Sequence, residues 1–167
     1  LGGERSVANF DEDSLTLAVN AAIDALGERD PQSLGGVFFA STTSPYREKQ
    51  AAVTVATVLD ANSEIRTMDF TDTLRAGTSA WLTALDLVSP GKSILVCSGD
   101  SRMGEPDSQQ EQTYGDAGGA ILVGTERMLP YLKESADLVV VASIDSILSL
   151  PQWRAHETAL SVLFYLR

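Results

Sequence analysis

The sequence of 167 residues holds one cysteine and one histidine, which excludes an intrachain disulfide and any Cys/His cluster with zinc-ligand spacing. Basic residues are scarce: 12 Lys and Arg face 23 Asp and Glu, for a net charge of −11. A field of that sign repels phosphate, so neither a generic nucleic-acid binder nor an anionic-membrane binder is expected, and no run of Lys or Arg supports a local exception. No signal peptide opens the chain, and no apolar run is long enough to span a bilayer. Hydrophobic residues at 44% and charged residues at 21% are what a packed domain carries, which excludes disorder as the dominant state. A soluble, cytoplasmic α/β domain is expected. The chain opens on Leu1-Gly2-Gly3-Glu4 rather than Met, so a strand ahead of Leu1 is expected to be missing from it.

Wholly apolar runs alternate with helical patterns. Asp11 or Asp13 can cap a helix over 11–27, with acids in its first turn, an apolar stripe through Leu15, Ala18, Ala22 and Leu26, and Gly27 to close it. Gly36 to Ala40 and Ile94 to Cys97 read as strands buried on both faces. A second helix over 48–59, a weakly alternating strand over 65–70 and a third helix over 76–88 lie between them. A polar stretch over 98–114 reads as a long loop, and 118–123 as a strand. Beyond Thr125 the pattern predicts a short helix over 126–133, a strand over 138–142 and an apolar helix over 153–166. Strands alternating with helices imply right-handed crossovers and a mostly parallel sheet covered on both faces.

General catalytic motifs are thin. His156, on an expected helix, has no nucleophile near it in sequence and reads as a surface polar residue. Cys97 lies in an apolar strand and reads as a small core hydrophobe. Glu105 and Asp107 in the long polar stretch read as solvated acids rather than a cation site. No glycine-rich phosphate loop is present.

Three stretches carry something more specific. Ser41-Thr42-Thr43-Ser44-Pro45-Tyr46-Arg47-Glu48-Lys49 follows the first buried strand. The second strand runs through Asp69-Phe70-Thr71-Asp72-Thr73-Leu74-Arg75-Ala76-Gly77-Thr78-Ser79-Ala80 into a helix. Ser98-Gly99-Asp100-Ser101-Arg102 and Tyr114-Gly115-Asp116-Ala117-Gly118-Gly119-Ala120 frame the long polar stretch. In this order and spacing they resemble the amino-terminal half of the thiolase superfamily, in its hydroxymethylglutaryl-CoA synthase and ketoacyl synthase-like branch. The resemblance covers residues 4–124. It implies a layered thiolase-like half-domain over 1–124 with a five-stranded mixed sheet, four of its strands parallel, and leaves 125–167 as a divergent tail.

The resemblance also implies a chemistry. The family forms an acyl-enzyme on a cysteine at a helix amino end, where dipole and donors favour the thiolate that attacks an acyl-CoA thioester. Its pattern, Ala-Cys-x-Gly-Gly-Thr, falls on Thr73 to Thr78, so Leu74 stands at the nucleophile position. A glutamate acid/base falls on Thr42, whose hydroxyl is no proton shuttle near neutral pH. The family's catalytic histidine belongs to the carboxyl-terminal half, and His156 matches none of its motifs. Thr73 is a weak substitute nucleophile, although Asp72 or Thr73 as helix cap is the simpler expectation. Arg75 opposes the helix dipole and so wants an anion: a phosphate of coenzyme A, an acyl carboxylate, or Asp69 or Asp72.

Three readings follow. One is an acyl-CoA-handling protein with altered chemistry, a coenzyme A thioester as its substrate and no covalently bound cofactor. The second is a non-catalytic scaffold, as a homodimer or a hetero-oligomer with a thiolase-like chain or a zinc-ribbon/OB-fold protein. The third is an unrelated α/β ligand-binding module.

Overall fold

The computed structural model describes residues 5–125. In chain order these form α1 (Ser14–Leu26), a 3-10 turn (Pro31–Ser33), β1 (Leu34–Ala40), α2 (Ala51–Val58), β2 (Arg66–Phe70), α3 (Ala76–Leu87), β3 (Ser93–Asp100), α4 (Gln109–Thr113) and β4 (Ala117–Gly124). One sheet of order β2-β1-β3-β4 joins the strands. β2, β1 and β3 are parallel and β4 runs antiparallel to β3. Ala40 pairs with both Phe70 and Ser98, so the three parallel strands end nearly flush.

Side-chain alternation sorts the core into two layers. Val37, Phe39, Leu95, Cys97 and Ala120 face α1 and α2. Phe38, Ala40, Ile94, Val96 and Val123 face α3. β1 is apolar throughout because it is central and covered on both sides, and Phe38 and Phe39 are fully buried on opposite faces. Each contributes about 2–3 kcal/mol by removal from water.

α1 begins with a reciprocal cap: Asp13 Oδ1 accepts the Thr16 N–H at 2.8 Å, and Thr16 Oγ1 accepts the Asp13 N–H at 2.6 Å. Gly27, at φ 57°, ends it with its N–H on the Ile23 carbonyl. Between these ends an alanine-rich face lies flat on β3 and β4 over Gly99 and Gly118, which are register partners. A Cβ on Gly99 would collide with the Ser14 carbonyl oxygen, and one on Gly118 with that of Leu17.

The mostly parallel α/β sheet with helices on both faces is as expected; several details differ. The described residues hold four strands, three of them parallel, where five with four parallel were expected; the strand expected over 138–142, the helices over 126–133 and 153–166, and His156 lie outside them. α1 carries no acid in its first turn, because the Asp13 cap starts the helix after the acidic run. α2 starts at Ala51 rather than 48, and the long polar stretch contains α4. The small residues Ala76, Gly77, Ala80 and Ala84 allow close packing on the sheet and so predict α3 to be the most buried helix. It buries only Ala76, Ala80 and Ala84 against the sheet and leaves Leu82 and Leu85 about half exposed, whereas α1 buries seven residues.

Candidate functional site

Flush carboxyl ends of β1, β2 and β3 bring three loops side by side, the place where open parallel sheets commonly bind ligands. Residues 41–50 follow β1, 71–75 follow β2, and 101–108 follow β3. The first loop is pinned at both ends to one spot on β2. The Ser41 N–H donates to the Phe70 carbonyl at 3.0 Å. The N–H groups of Ala51 and Ala52 donate to the two carboxylate oxygens of Asp69 at 2.6 and 2.8 Å, which satisfies the orphan amides of α2 with a charge suited to its dipole.

Asp100, the last residue of β3, organises the centre. Its Oδ1 accepts from Ser41 Oγ (3.1 Å), Thr42 N (2.6 Å), Thr42 Oγ1 (2.9 Å) and Thr43 Oγ1 (3.2 Å). Ser41 Oγ in turn accepts the Thr43 N–H, and Thr43 Oγ1 accepts the Ser101 N–H, both at 2.9 Å. Ser14 Oγ donates to the Thr43 carbonyl at 2.7 Å, tying the start of α1 into the network. One carboxylate thus fixes the loop after β1 to the end of β3 through charge-assisted bonds.

Thr42 sits inside this network. Its single hydroxyl proton goes to Asp100, and its oxygen accepts from Arg102 Nε at 3.1 Å and Nη2 at 2.8 Å. A hydroxyl has one proton and two lone pairs, so every bonding position is filled. The Arg102 guanidinium also lies over the Tyr114 ring, 6.0 Å from its centroid. Asp100, Arg102 and Tyr114 were not singled out as site residues by the sequence. The available signal was an acid closing a buried strand with an arginine two residues on.

Leu74, at the expected nucleophile position, lies one residue before the helix cap Arg75 and is 82% exposed. It fills no pocket among the described residues, because the turn over 71–75 carries it outward. Neither Asp72 nor Thr73 is the cap: Asp72 takes a left-handed conformation at φ 61°, and Arg75 holds the cap position without a side-chain bond. Thr73 Oγ1 accepts the Arg75 N–H at 3.3 Å and its carbonyl accepts the Ala76 N–H, so it braces the turn. Asp69, considered as a partner for Arg75, is committed to α2.

Cys97 is wholly buried, its Sγ donating to the Phe38 carbonyl at 3.5 Å. Burial, with a lesser push from the Asp69 charge, raises its pKa to about 12, which leaves an inert thiol. The Asp107 N–H donates to Glu111 Oε2 and the Ser108 N–H to the Glu105 carbonyl, contacts of a loop entering α4. Among the described residues no group of three His, Cys, Asp or Glu side chains is placed to hold a metal. A cavity of about 290 Å³ lined by Leu34, Asn62, Arg66 and Lys92 lies at the other end of the sheet.

No protein-family model matches the chain. The fold is nevertheless that of a thiolase-like half-domain: the structure of an HMG-CoA synthase complexed with CoA superposes with a TM-score of 0.67 at 25% identity, covering 72% of this chain and 31% of that one. The HMG synthase of the curacin pathway, in complex with an acetyl donor acyl-carrier protein, superposes at 0.63 and 26% identity over 72% of this chain and 32% of its own. In sequence, the hydroxymethylglutaryl-CoA synthase of Thermococcus onnurineus is 34% identical over 125 residues, 72% of this chain and 36% of the relative. The chain therefore spans a little over a third of that relative. Its fold is that of part of a thiolase-like protein, and over 72% of its length it is similar to hydroxymethylglutaryl-CoA synthases, as the three sequence stretches imply. No helix among the described residues is long and apolar enough to cross a membrane.

Proposed function

We propose that this chain handles an acyl-CoA thioester, in the manner of the hydroxymethylglutaryl-CoA synthase-like condensing proteins, without forming their usual acyl-enzyme. The observation that carries the reading is Leu74 ahead of α3, on the turn after β2. An isobutyl side chain has no atom that an acyl group can be transferred to. Thr42 supports it from the neighbouring loop, since its saturated hydroxyl can orient a neighbour but cannot relay a proton. Thr73, braced in the turn, and Cys97, neutral in the core, are poor replacements. On this reading residues 1–124 are the thiolase-like unit, residues 125–167 a divergent tail, and the protein works in the cytoplasm. Calorimetric titration of the full chain with acetyl-CoA and acetoacetyl-CoA should show binding, and intact-mass spectrometry no acetyl adduct. An adduct on Thr73 or Cys97 would overturn the reading.

A second reading, a non-catalytic subunit, is favoured by the outer side of α3, where Leu82 and Leu85 stay about half exposed. A second thiolase-like chain, identical or not, would cover that face. Titrations without heat, together with a dimer mass by light scattering, would favour it. The zinc-ribbon/OB-fold partner has no supporting feature among the described residues and is not carried forward.

A further inference from the structure

The amino ends of β1, β2 and β3 surround the cavity of about 290 Å³, at the end of the sheet away from the three loops described above. Its floor is apolar, with Leu34 and Ile94 buried in the sheet and Leu87 at the end of α3. The central strand bulges here. Leu34 pairs with Ser93 and Gly36 with Ile94, so Gly35 is an extra residue without a register partner on β3. A Cβ on Gly35 would stand 3.0 Å from Lys92 Cβ, so any larger residue would press on that side chain and narrow the cavity.

Two cations flank this gap. Arg66 opens β2 as the register partner of Gly36, and Lys92 precedes β3 on the opposite side of β1. Their backbone positions are therefore about two strand spacings, roughly 10 Å, apart. Among the described residues neither meets a carboxylate within 4.0 Å, and neither side chain makes a hydrogen bond. Ser89 and Asn62 add neutral donors; Asn62 Oδ1 accepts the Glu64 N–H at 2.9 Å, which leaves its NH2 group free to donate. Glu64 is the one acid in the lining. In a chain of net charge −11, two cations against one acid over an apolar floor is a local reversal of sign.

We propose that this cavity binds a small phosphate monoester, with its phosphoryl group between Arg66 and Lys92 and its organic part on Leu34, Leu87 and Ile94. The site lies at the opposite strand ends from the acyl-CoA site proposed above and does not depend on it. A phosphoryl dianion answers both cations, whereas a carboxylate would leave one unmatched. Its tetrahedral oxygens can accept from donors that converge from separate strands, which a planar carboxylate does less well. The cavity is at the small end of the range for ligand sites, so the ester is small. Binding involves no covalent step.

The test titrates the full chain calorimetrically with phenyl phosphate, and with inorganic phosphate, benzoate and phenol for comparison. Phenyl phosphate should bind with a Kd below about 1 mM, and each comparison compound about tenfold more weakly. Backbone amide chemical shifts should change most in residues 34–36, 62–66 and 87–93. Arg66→Gln and Lys92→Gln should each weaken binding about three- to fivefold, the scale of an exposed charge pair. Glu64→Gln should tighten it about twofold, because a like charge is removed. Gly35→Ala should weaken it with every charge kept, and a thermal melt of each variant checks that the fold is intact. Absence of phenyl phosphate binding overturns the proposal, as does binding undiminished in both cation variants. Inorganic phosphate or benzoate bound as tightly as phenyl phosphate overturns the ester assignment. Shift changes centred on residues 41–50 and 101–108 would place the anion at the other end of the sheet and overturn the site.

Discussion

Gly118→Ala tests the seat of α1. The methyl group would land on the Leu17 carbonyl oxygen and 2.7 Å from its carbonyl carbon, with Leu17 Cβ at 3.2 Å. Its neighbours are helix backbone, which has no rotamer to change. Restoring ordinary contact requires α1 to lift by about an ångström, which forfeits a large part of its dispersion contact with the sheet. The face that lifts carries Leu15, Ala18, Ala21, Ala22, Ala25 and Leu26, all buried. Overpacking costs about 1–3 kcal/mol where side chains can adjust. With backbone on one side and sheet on the other we expect the upper end, about 3 kcal/mol, or a Tm lowered by roughly 10 °C. Gly77→Ala is the matched control, since it lies in α3 and its Cβ would meet nothing within 4 Å. Helix propensity predicts a gain of about 0.5–1 kcal/mol there. Urea and thermal unfolding followed at 222 nm measure both. If Gly118→Ala costs less than Gly77→Ala gains, α1 does not rest on β4 as described.

Leu74→Cys should cost little stability, under about 0.5 kcal/mol, because the side chain is exposed. Its thiol, beside the amino end of α3 and Arg75, should react with iodoacetamide much faster than Cys97; equal rates would remove the electrostatic argument for that position. Asp100→Ala should destabilise by about 2–4 kcal/mol and Asp100→Asn by less, because the amide oxygen keeps an acceptor. Loss of near-ultraviolet signal around Tyr114 would report release of Arg102, and an unchanged melt for Asp100→Ala would contradict the hub. Cys97 predicts a pH effect of definite sign. Its thiol ionises near 9.0 when unfolded and near 12 when folded, so the folded state holds the proton longer. Between those values stability falls as pH rises, by up to about 1.4 kcal/mol per unit. Denaturant midpoints at pH 9 to 11 should show that slope, and Cys97→Ala should remove it.

Where the sequence was readable, one physical signal dominated. β1 and β3 are central strands, so their apolar runs are continuous and cannot be mistaken for polar loops. Gly27 ends α1 because it takes a positive φ that other residues resist. α4 was missed because Gln109 to Thr113 are polar and exposed, which leaves a five-residue helix no periodic face. The exposure of Leu74 has no local signal: an apolar residue next to a helix start is carried outward by a turn through a left-handed Asp72. Asp100 and Arg102 could be quoted from the sequence, but their work depends on the loop after β1 lying against the end of β3, a contact across about 60 residues that no local pattern encodes.

The double attachment of the loop over 41–50 makes that segment a replaceable cassette. Its entry is held by Phe70 and its exit by Asp69, so the separation of its ends is dictated by adjacent residues of β2 and not by the loop's own length. Residues can be inserted between Ser44 and Gln50 without moving α2 or disturbing strand register. The cost would be closure entropy alone, about 0.6 kcal/mol for each doubling of length. Variation in this loop can therefore reshape the surroundings of Thr42 and Arg102 while the sheet beneath stays unchanged.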